Sequence, residues 1–541
     1  MSSEPPSQAV AATYQDRPHG RRLVRNTAIF SALTGVSRVA GLVREVVASS
    51  YFGTSGAFSA FTLAFQVPNL LRALVADAAL SSAFVPVFTE LLERRRRQDA
   101  FALAGALFGL ILVVLGAVTI AFILIAPFLM PLFTGDTFTP ALDDLTVGLS
   151  QVLFPIVVLL GLNGLVVGVL QAYDHFTIPA LAPVIWNLVI IAALVVGHGT
   201  ATGTDQFYWY AGGVVAGTAV QLGMCFPVLR RVGFHLRISS RWDDPRIRHV
   251  LVLMLPVTIG LGVINFDLVI NSVLGTLVSN QAPSAIDRAF RLYMLPQGIF
   301  SVAIATVLFP TLSRLAARRD RRGLRRASGT GVRQIALTLI PAAVITAVLA
   351  TPLTRLVYER GEFGPASTEL VSTALFWFAF SLPFAGANLL LTRTFFSLQR
   401  PWIPTRLAVL SLVVNTIVSL ALYGPFGIAG IVIGTAVASA VMTALQAQGL
   451  RVLLRGFEVG QTLRSAMAML IASVPLGLVS YGVWYALDSA LGRSLPAQVV
   501  SVGCAIAAGT AAYVGAVLAL RVPEAHQIAG LVRSRMRPRP S

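Results

Sequence analysis

Long apolar segments separated by short polar ones follow each other along almost the whole chain. About 20 apolar residues are enough for one helix to cross the hydrocarbon core of a bilayer. By this criterion the pattern predicts fourteen spans, over residues 27–51, 62–92, 101–133, 147–172, 178–197, 209–231, 249–278, 285–316, 331–357, 367–394, 401–423, 427–452, 462–487 and 496–521. We therefore predict an all-α polytopic membrane protein.

Composition and charge agree with this class. Hydrophobic residues make up 56% of the 541 residues, charged residues only 12%, and the mean hydropathy is +0.77. All 41 basic residues are arginine, and most lie in loops that share one side of the membrane if the N-terminus is cytoplasmic. Because cytoplasmic loops are enriched in basic residues, we predict a cell-membrane protein with both termini in the cytoplasm. The net charge of +18 then reflects contact with anionic headgroups, and we expect no nucleic-acid partner.

An internal repeat predicts the domain organisation. The segment from Pro86 to Arg94 recurs as Pro310 to Arg318, a shift of 224 residues. An even number of spans separates the copies, so both halves share one orientation, and parallel repeats are typical of two-lobed transporters. We predict two six-helix lobes followed by two further helices. The bounds are a cytoplasmic tail at 1–26, an N-lobe at 27–231, a C-lobe at 249–452, the two additional spans at 462–521 and a basic cytoplasmic tail at 522–541.

Charged residues occur within the first two predicted spans, where they are costly. Arg38, Arg44 and Glu45 lie in the first span, and Arg72 and Asp77 in the second. A charge near the bilayer centre costs about 2.5–3.5 kcal/mol on insertion scales, so such residues usually face a polar cavity or a partner. Three arginines against two carboxylates favour an anionic substrate. Structural ion pairs or arginines that reach the interface are the alternative interpretation.

Several motifs resemble one family closely. The segments SRVAGLVREVVASSYFG, FQVPNLLRALVADAALSSAFVPVF, RLYMLPQGIFSVAIATVLFPTLS and YERGEFGPASTE resemble signatures of the MurJ (MviN) family, lipid II flippases of the MOP exporter superfamily. The resemblance covers nearly the whole chain. It implies transport of the undecaprenyl-pyrophosphate-linked peptidoglycan precursor from the cytoplasmic to the outer leaflet, with no enzymatic step.

The resemblance also gives the charged residues roles. The diphosphate would be bound by Arg38, Arg44, Arg72 and Arg291, with Glu45 and Asp77 as counter-ions that hold the arginines when no substrate is present. Guanidinium groups bind phosphate oxygens in a bidentate manner, which supports this assignment. We expect Asp77 to be the partner of Arg44, and Arg288 belongs either to a loop or to the site. Two positions depart from the family, because Ser59 replaces a usual carboxylate and Gln66 a usual basic residue.

A second polar cluster is predicted in the C-lobe. Helical spacing places Asp267 with Asn271, and Asn415 with Ser419, each pair on one helix face, and Thr435 follows on the next span. Oxygen ligands from several helices suit Na⁺, and a membrane-embedded Asp suits proton exchange. A buried hydrogen-bond cluster is the alternative, in which case the membrane potential alone would drive transport. We expect no cofactor and no metal centre beyond such a coupling ion.

Other functions remain open at this point. A related exporter of another polyprenyl-linked saccharide or small molecule would share the scaffold, and a non-transporting membrane scaffold would not need the arginines. An enzyme acting on the same lipid would need a catalytic acid or base, for which Glu359 and Glu362 are the candidates. We expect lipid II and membrane lipids as partners, and cell-wall synthesis proteins are candidate protein partners.

Overall fold

The computed structural model describes residues 18–75, 78–173, 175–234, 239 and 242–526, and every element in these ranges is a helix. Contacts divide the chain into two compact units. Unit 1 runs to Ala48 and continues with Ala64–Met130 and Asp144–Thr258, whereas unit 2 contains Ser49–Leu63, Pro131–Asp143 and the chain from Ile259 onward. The units are defined by contacts between residues, whereas the predicted lobes are defined by the sequence repeat. The bounds of the lobes therefore stay a prediction.

Eight helices lie wholly or mostly in unit 1. They are α1 (Pro18–Phe52), α2 (Gly56–Val75), α3 (Ala78–Glu93), α4 (Arg97–Leu129), α5 (Pro140–Leu153), α6 (Ile156–Ala172), α7 (Thr177–Thr200) and α8 (Asp205–Arg231). Their core is rich in phenylalanine. The rings of Phe84 and Phe88 on α3 lie 5.0 Å apart, and Phe122 on α4 stacks on Phe154 at 3.6 Å between ring centres. These large rings fill the space between α3, α4 and α6.

The remaining helices belong to unit 2, except that the residues of α9 up to Thr258 belong to unit 1. They are α9 (Pro245–Thr276), α10 (Ala282–Pro296), α11 (Val302–Ala317), α12 (Arg321–Val348), α13 (Ala350–Tyr358), α14 (Pro365–Ala379), α15 (Leu382–Ser397), α16 (Trp402–Phe426), α17 (Ile428–Leu453), α18 (Val459–Leu491) and α19 (Leu495–Ala519). A π-helical turn, Gln297–Ser301, joins α10 to α11. Helices α18 and α19 pack on α12 through an apolar cluster that includes Met469, Leu476 and Val517.

The described helices agree with a membrane-spanning fold but do not confirm fourteen spans. Ten of them are long and apolar enough to cross a bilayer, or eleven if α14 and α15, bent by 50° at their junction, count as one span. The other three predicted spans coincide with α1, with α2 and α3 together, and with α9. Every element of the described residues is a helix, as predicted, and the count of fourteen spans stays a prediction.

The internal repeat extends to the backbone of the helix ends. At the end of α3, Arg95 has a φ of +58°, and the amides of Arg94, Arg95 and Arg96 donate to the carbonyls of residues 90, 92 and 91. At the end of α11, Arg319 has a φ of +55°, and the amides of residues 318–320 donate to carbonyls 314, 316 and 315. Each bond thus recurs 224 residues later, at the shift that the sequence indicated.

A second pair of helix ends shows the same pattern. Gly233 follows α8 with a φ of +74°, and Arg455 follows α17 with a φ of +54°. The amides of residues 232–234 donate to carbonyls 228, 230 and 229, and those of residues 454–456 donate to carbonyls 450, 452 and 451. A left-handed residue that closes a helix in this way is a Schellman-type cap. The two halves of the chain therefore share local backbone geometry as well as sequence.

Candidate functional site in the arginine-bearing helices

Arg44 is buried in unit 1 with an acidic and an aromatic neighbour. Only 8% of the residue is exposed, and its guanidinium donates to the Oε1 atom of Glu45, which is itself 4% exposed. The guanidinium carbon also lies 4.7 Å from the centre of the Trp186 ring on α7. An ion pair together with a ring face is a favourable environment for a desolvated guanidinium. Glu45 is thus an ion-pair partner of Arg44, and its role as a counter-ion during transport stays a prediction.

The other predicted residues of the first two spans differ in environment. Arg38 is exposed, one and a half turns before Arg44 on α1. Arg72 is half-buried near the end of α2, where its Nε donates to Asn69 Oδ1 at 3.0 Å. Asp77, the predicted partner of Arg44, lies outside the described residues. The three arginines of unit 1 that are predicted to bind the diphosphate therefore range from exposed to buried.

Unit 2 contains a second group of charges on α10. Asp287 Oδ2 accepts from Arg288 NH1 at 2.7 Å and from Arg291 Nε at 2.8 Å. Arg288 is 2% exposed, whereas 35% of the Arg291 side chain remains accessible. Arg288 also donates to Ser49 Oγ at 2.9 Å and covers the Phe58 ring at 4.1 Å. The predicted residue Arg291 therefore shares the Asp287 carboxylate with the buried Arg288.

Arg288 is the residue that the sequence left between a loop and the site. It lies within the predicted span 285–316, and α10, which begins at Ala282, includes it. Arg288 ranks among the largest fully buried side chains of the described residues. One signal was present in the sequence, since Asp287, Arg288 and Arg291 are spaced for contact on a helix. That signal requires the helix to begin before Asp287.

The five residues of the predicted ion site form one continuous chain of hydrogen bonds in unit 2. The amide of Asn415 donates to Asp267 Oδ1 at 2.6 Å and to Asn271 Oδ1 at 2.9 Å, and Asn271 donates to Thr435 Oγ1 at 2.8 Å. Ser419 donates to Asn415 Oδ1 at 3.2 Å and to a backbone carbonyl of α17 at 3.0 Å. The chain connects α9, α16 and α17. Its contacts are those of the hydrogen-bond alternative, and binding of Na⁺ or a proton stays a prediction.

An apolar cavity of about 530 Å³ lies in unit 2 between α12, α15, α17 and α18. Small side chains open it, among them Ala343, Ala387 and Ala444, and larger ones such as Leu463 and Met467 on α18 close it on one side. A cavity of this size and apolar lining suits a hydrocarbon ligand, because burial of each CH₂ group contributes about 0.8 kcal/mol.

The fold is similar to the folds of two solved membrane transporters. A solved structure described as lipid II flippase MurJ in an inward closed conformation matches with a TM-score of 0.73 at 22% identity, over 91% of this chain and 99% of that one. An inward-facing multidrug resistance MATE family transporter of the MOP superfamily matches with a TM-score of 0.64 at 13% identity, over 79% and 98%. At these identities the likeness concerns the fold alone.

The sequence identifies the family within this class. The family model described as lipid II flippase MurJ matches residues 48–504. A probable lipid II flippase MurJ of Rhizobium meliloti is 31% identical over 76% of this chain and 77% of that protein. Another, of Rhizobium tropici, is 30% identical over 85% and 87%, and the lipid II flippase MurJ of Burkholderia cenocepacia is 29% identical over 79% and 84%. The chain belongs to the lipid II flippase MurJ family, as the motifs predicted, and is a multi-pass protein of the inner membrane.

Proposed function

We propose that this protein is a lipid II flippase that carries the lipid-linked precursor from the cytoplasmic to the outer leaflet by alternating access. The observation that carries the proposal is the burial of Arg44 with one carboxylate on α1 of a chain from this family. A diphosphate has about two negative charges, and its oxygens match the guanidinium fork. The headgroup would bind to Arg38, Arg44, Arg72 and Arg291.

The acidic neighbours explain how the arginines are stabilised between transport cycles. Glu45 neutralises Arg44, and Asp287 contacts the Nε of Arg291. A buried arginine that loses its partner is costly, by about 3–5 kcal/mol, so a substrate anion must replace the Glu45 carboxylate on Arg44 as it binds. Arg291, whose side chain is 35% accessible, can meet the anion while Asp287 still holds its Nε. Exchange of one anion for another keeps the free energy of the empty and loaded states similar. Such a balance lets the protein bind the diphosphate and release it again.

The apolar cavity supports a place for the polyprenyl tail. Leu463 and Met467 of α18, one of the two helices that follow the second predicted lobe, form one wall of it. A lipid tail there would bury CH₂ groups at about 0.8 kcal/mol each, while the charged headgroup stays with the arginines. We propose that the tail lies in lipid or in this cavity during transport.

The direction of transport follows from the proposed topology with both termini in the cytoplasm. Moving about two negative charges outward across 100 mV, inside negative, is favourable by roughly 4–5 kcal/mol. The potential alone would drive the loaded step, and a Na⁺ ion or proton at Asp267 would drive the return of the empty protein. Cell-wall synthesis proteins are the proposed protein partners, because they would consume the lipid II that reaches the outer leaflet.

The test is complementation of a bacterium depleted of its own flippase. Lipid II in the outer leaflet is read out with an externally added cleaving toxin, with and without a Na⁺ gradient. Arg44→Ala, Arg72→Ala and Arg291→Ala should abolish outer-leaflet lipid II at normal expression. Arg493→Ala, an exposed arginine of the loop between α18 and α19, is the matched control and should behave like the unchanged protein.

Each alternative function predicts a different result. If the unchanged protein fails to expose lipid II, the substrate is another polyprenyl-linked saccharide or a small molecule. If the arginine variants complement as well as the control, the charges are structural and a scaffold role is favoured. Loss of transport only when the Na⁺ gradient is removed would identify Na⁺ as the coupling ion.

A further inference from the structure

Asp287 contacts both arginines of α10 through a single oxygen atom. Its Oδ2 accepts from Arg288 at 2.7 Å and from Arg291 at 2.8 Å, and the residue is 5% exposed. The two arginines differ in access, since Arg288 is 2% exposed and 35% of the Arg291 side chain is accessible. Arg291 can therefore meet a ligand, whereas Asp287 and Arg288 lie behind it.

Arg288 fixes the position of the carboxylate. Its Nε donates to Ser49 at the end of α1 at 2.9 Å, and its guanidinium lies 4.1 Å from the Phe58 ring on α2. All these residues belong to unit 2. Three anchors of different kinds leave the Arg288 side chain few alternative rotamers. The Asp287 carboxylate is thus held on one side by a rigid cation and offers the same oxygen to Arg291.

Ser59 shows why this carboxylate matters in this chain. The resemblance to the family gives position 59 a carboxylate, which is a serine here. Ser59 Oγ accepts from the backbone amide of Ser284 at 3.2 Å, one turn before Asp287 on α10. Position 59 therefore lies against the helix that carries the arginines. The negative charge that is absent from α2 is present on α10 itself.

We propose that Asp287 is a positioning residue of the transport site, which orients Arg291 for the substrate diphosphate and supplies the carboxylate that Ser59 lacks. This inference rests on the proposed function for the identity of the ligand but not for the orientation of Arg291. A long side chain fixed before binding loses less rotamer freedom when the ligand arrives. Immobilising one such side chain corresponds to about 2- to 10-fold in affinity.

The first measurement needs no ligand. The rate at which phenylglyoxal modifies Arg291 is followed by mass spectrometry in the purified full-length protein and in the Asp287→Asn variant. Loss of the charge-assisted bond to Nε should make Arg291 react faster. The exposed Arg493 reports the intrinsic reactivity of the reagent in both proteins. An unchanged rate at Arg291 would overturn the proposal, whatever the substrate is.

The second measurement is binding of a C15 prenyl diphosphate, with the C15 prenyl alcohol as the uncharged control. Asp287→Asn should weaken binding of the diphosphate by about 2- to 10-fold and leave the alcohol unaffected. Arg291→Ala should weaken it more, and the double variant should match Arg291→Ala, because Asp287 acts through Arg291. Additive losses in the double variant would contradict a positioning role.

A third variant separates positioning from folding. Asp287→Asn leaves Arg288 buried without this carboxylate, so the variant could lose stability for that reason alone. Adding Ser59→Asp returns a carboxylate from α2 and should restore both the slow reaction of Arg291 and diphosphate binding. Failure of this rescue in a folded double variant would contradict the assignment to Ser59. If the unchanged protein does not prefer the diphosphate to the alcohol, the proposed function fails while the reactivity result still decides the orientation of Arg291.

Discussion

Replacing Arg333 with methionine tests the ion cluster that joins the last two helices to the rest of unit 2. Arg333 on α12 donates through Nε to Glu524 Oε1, beyond α19, at 2.5 Å, and through NH1 to Glu458 Oε2, before α18, at 2.9 Å. Its NH2 donates to Thr330 at 3.2 Å. Methionine keeps much of the side-chain volume but removes the charge and these hydrogen bonds.

The expected loss of stability in Arg333→Met follows from the exposure of the two carboxylates that contact Arg333. The Glu524 side chain is 2% exposed and that of Arg333 6%, so removal of the guanidinium leaves a buried carboxylate without this cation. Breaking a buried pair in this way costs about 3–5 kcal/mol. The Glu458 side chain is 21% exposed and can meet water, so its contribution is at most about 1 kcal/mol. The loss should therefore come mainly from Glu524.

The assay is unfolding of the purified protein in mixed micelles, followed by circular dichroism. Arg333→Met should lower the free energy of unfolding by about 3–5 kcal/mol. Adding Glu524→Leu should recover most of this loss, because replacement of a buried pair by apolar groups is often neutral. Arg326→Met, at an exposed position of the same helix, is the control and should stay within about 0.5 kcal/mol.

Two results would refute this reasoning. If Arg333→Met is as stable as the Arg326→Met control, the pair is not a buried ion pair in the protein. If Glu524→Leu adds a further loss instead of a recovery, the cost arises from packing and not from the unpaired carboxylate.

Two glycine substitutions test close contacts in the same unfolding assay. Gly434→Ala places a Cβ atom 2.1 Å from Ser419 Oγ, within the predicted ion site, and should lower the free energy of unfolding by about 1–3 kcal/mol. Its control is Gly503→Ala on α19, which has open space around it and should be neutral or stabilising. In Gly53→Ala the alanine must adopt a φ of +57° and its Cβ lies 2.6 Å from a backbone carbonyl oxygen, so the free energy of unfolding should fall by more than about 1 kcal/mol. Its control is Gly364→Ala, which has open space and a negative φ and should keep its stability. Equal stability of either pair would show that the close contact does not exist.

The helical class and the family could be predicted because each rests on local sequence. Apolar runs of span length need no partner to be recognised, and the motif around Arg44 is contiguous. The count of fourteen spans stays a prediction, because the described residues give ten or eleven.

The partners of the buried charges could not be predicted. Arg333 meets carboxylates 125 and 191 residues away in sequence, and nothing in one sequence connects these positions. Arg44 shows that a long side chain can also reach its neighbour in sequence, since its guanidinium contacts the adjacent Glu45. The predicted pair of Arg44 with Asp77 stays a prediction. Spacing predicts which faces charges occupy and leaves their pairing to tertiary structure.

The repeated helix ends show how topology and backbone geometry compete at one position. A left-handed residue at a helix end is usually glycine, and for another residue it costs roughly 1–2 kcal/mol. Yet Arg95, Arg319 and Arg455 have positive φ at the ends of α3, α11 and α17. A cation at a helix C-terminus gains about 0.3–1 kcal/mol from the helix dipole, and a basic residue near an anionic membrane surface about 1 kcal/mol. These gains offset the strain, so arginine can close a helix end on the side of the membrane that is predicted to be cytoplasmic and mark that side at the same position.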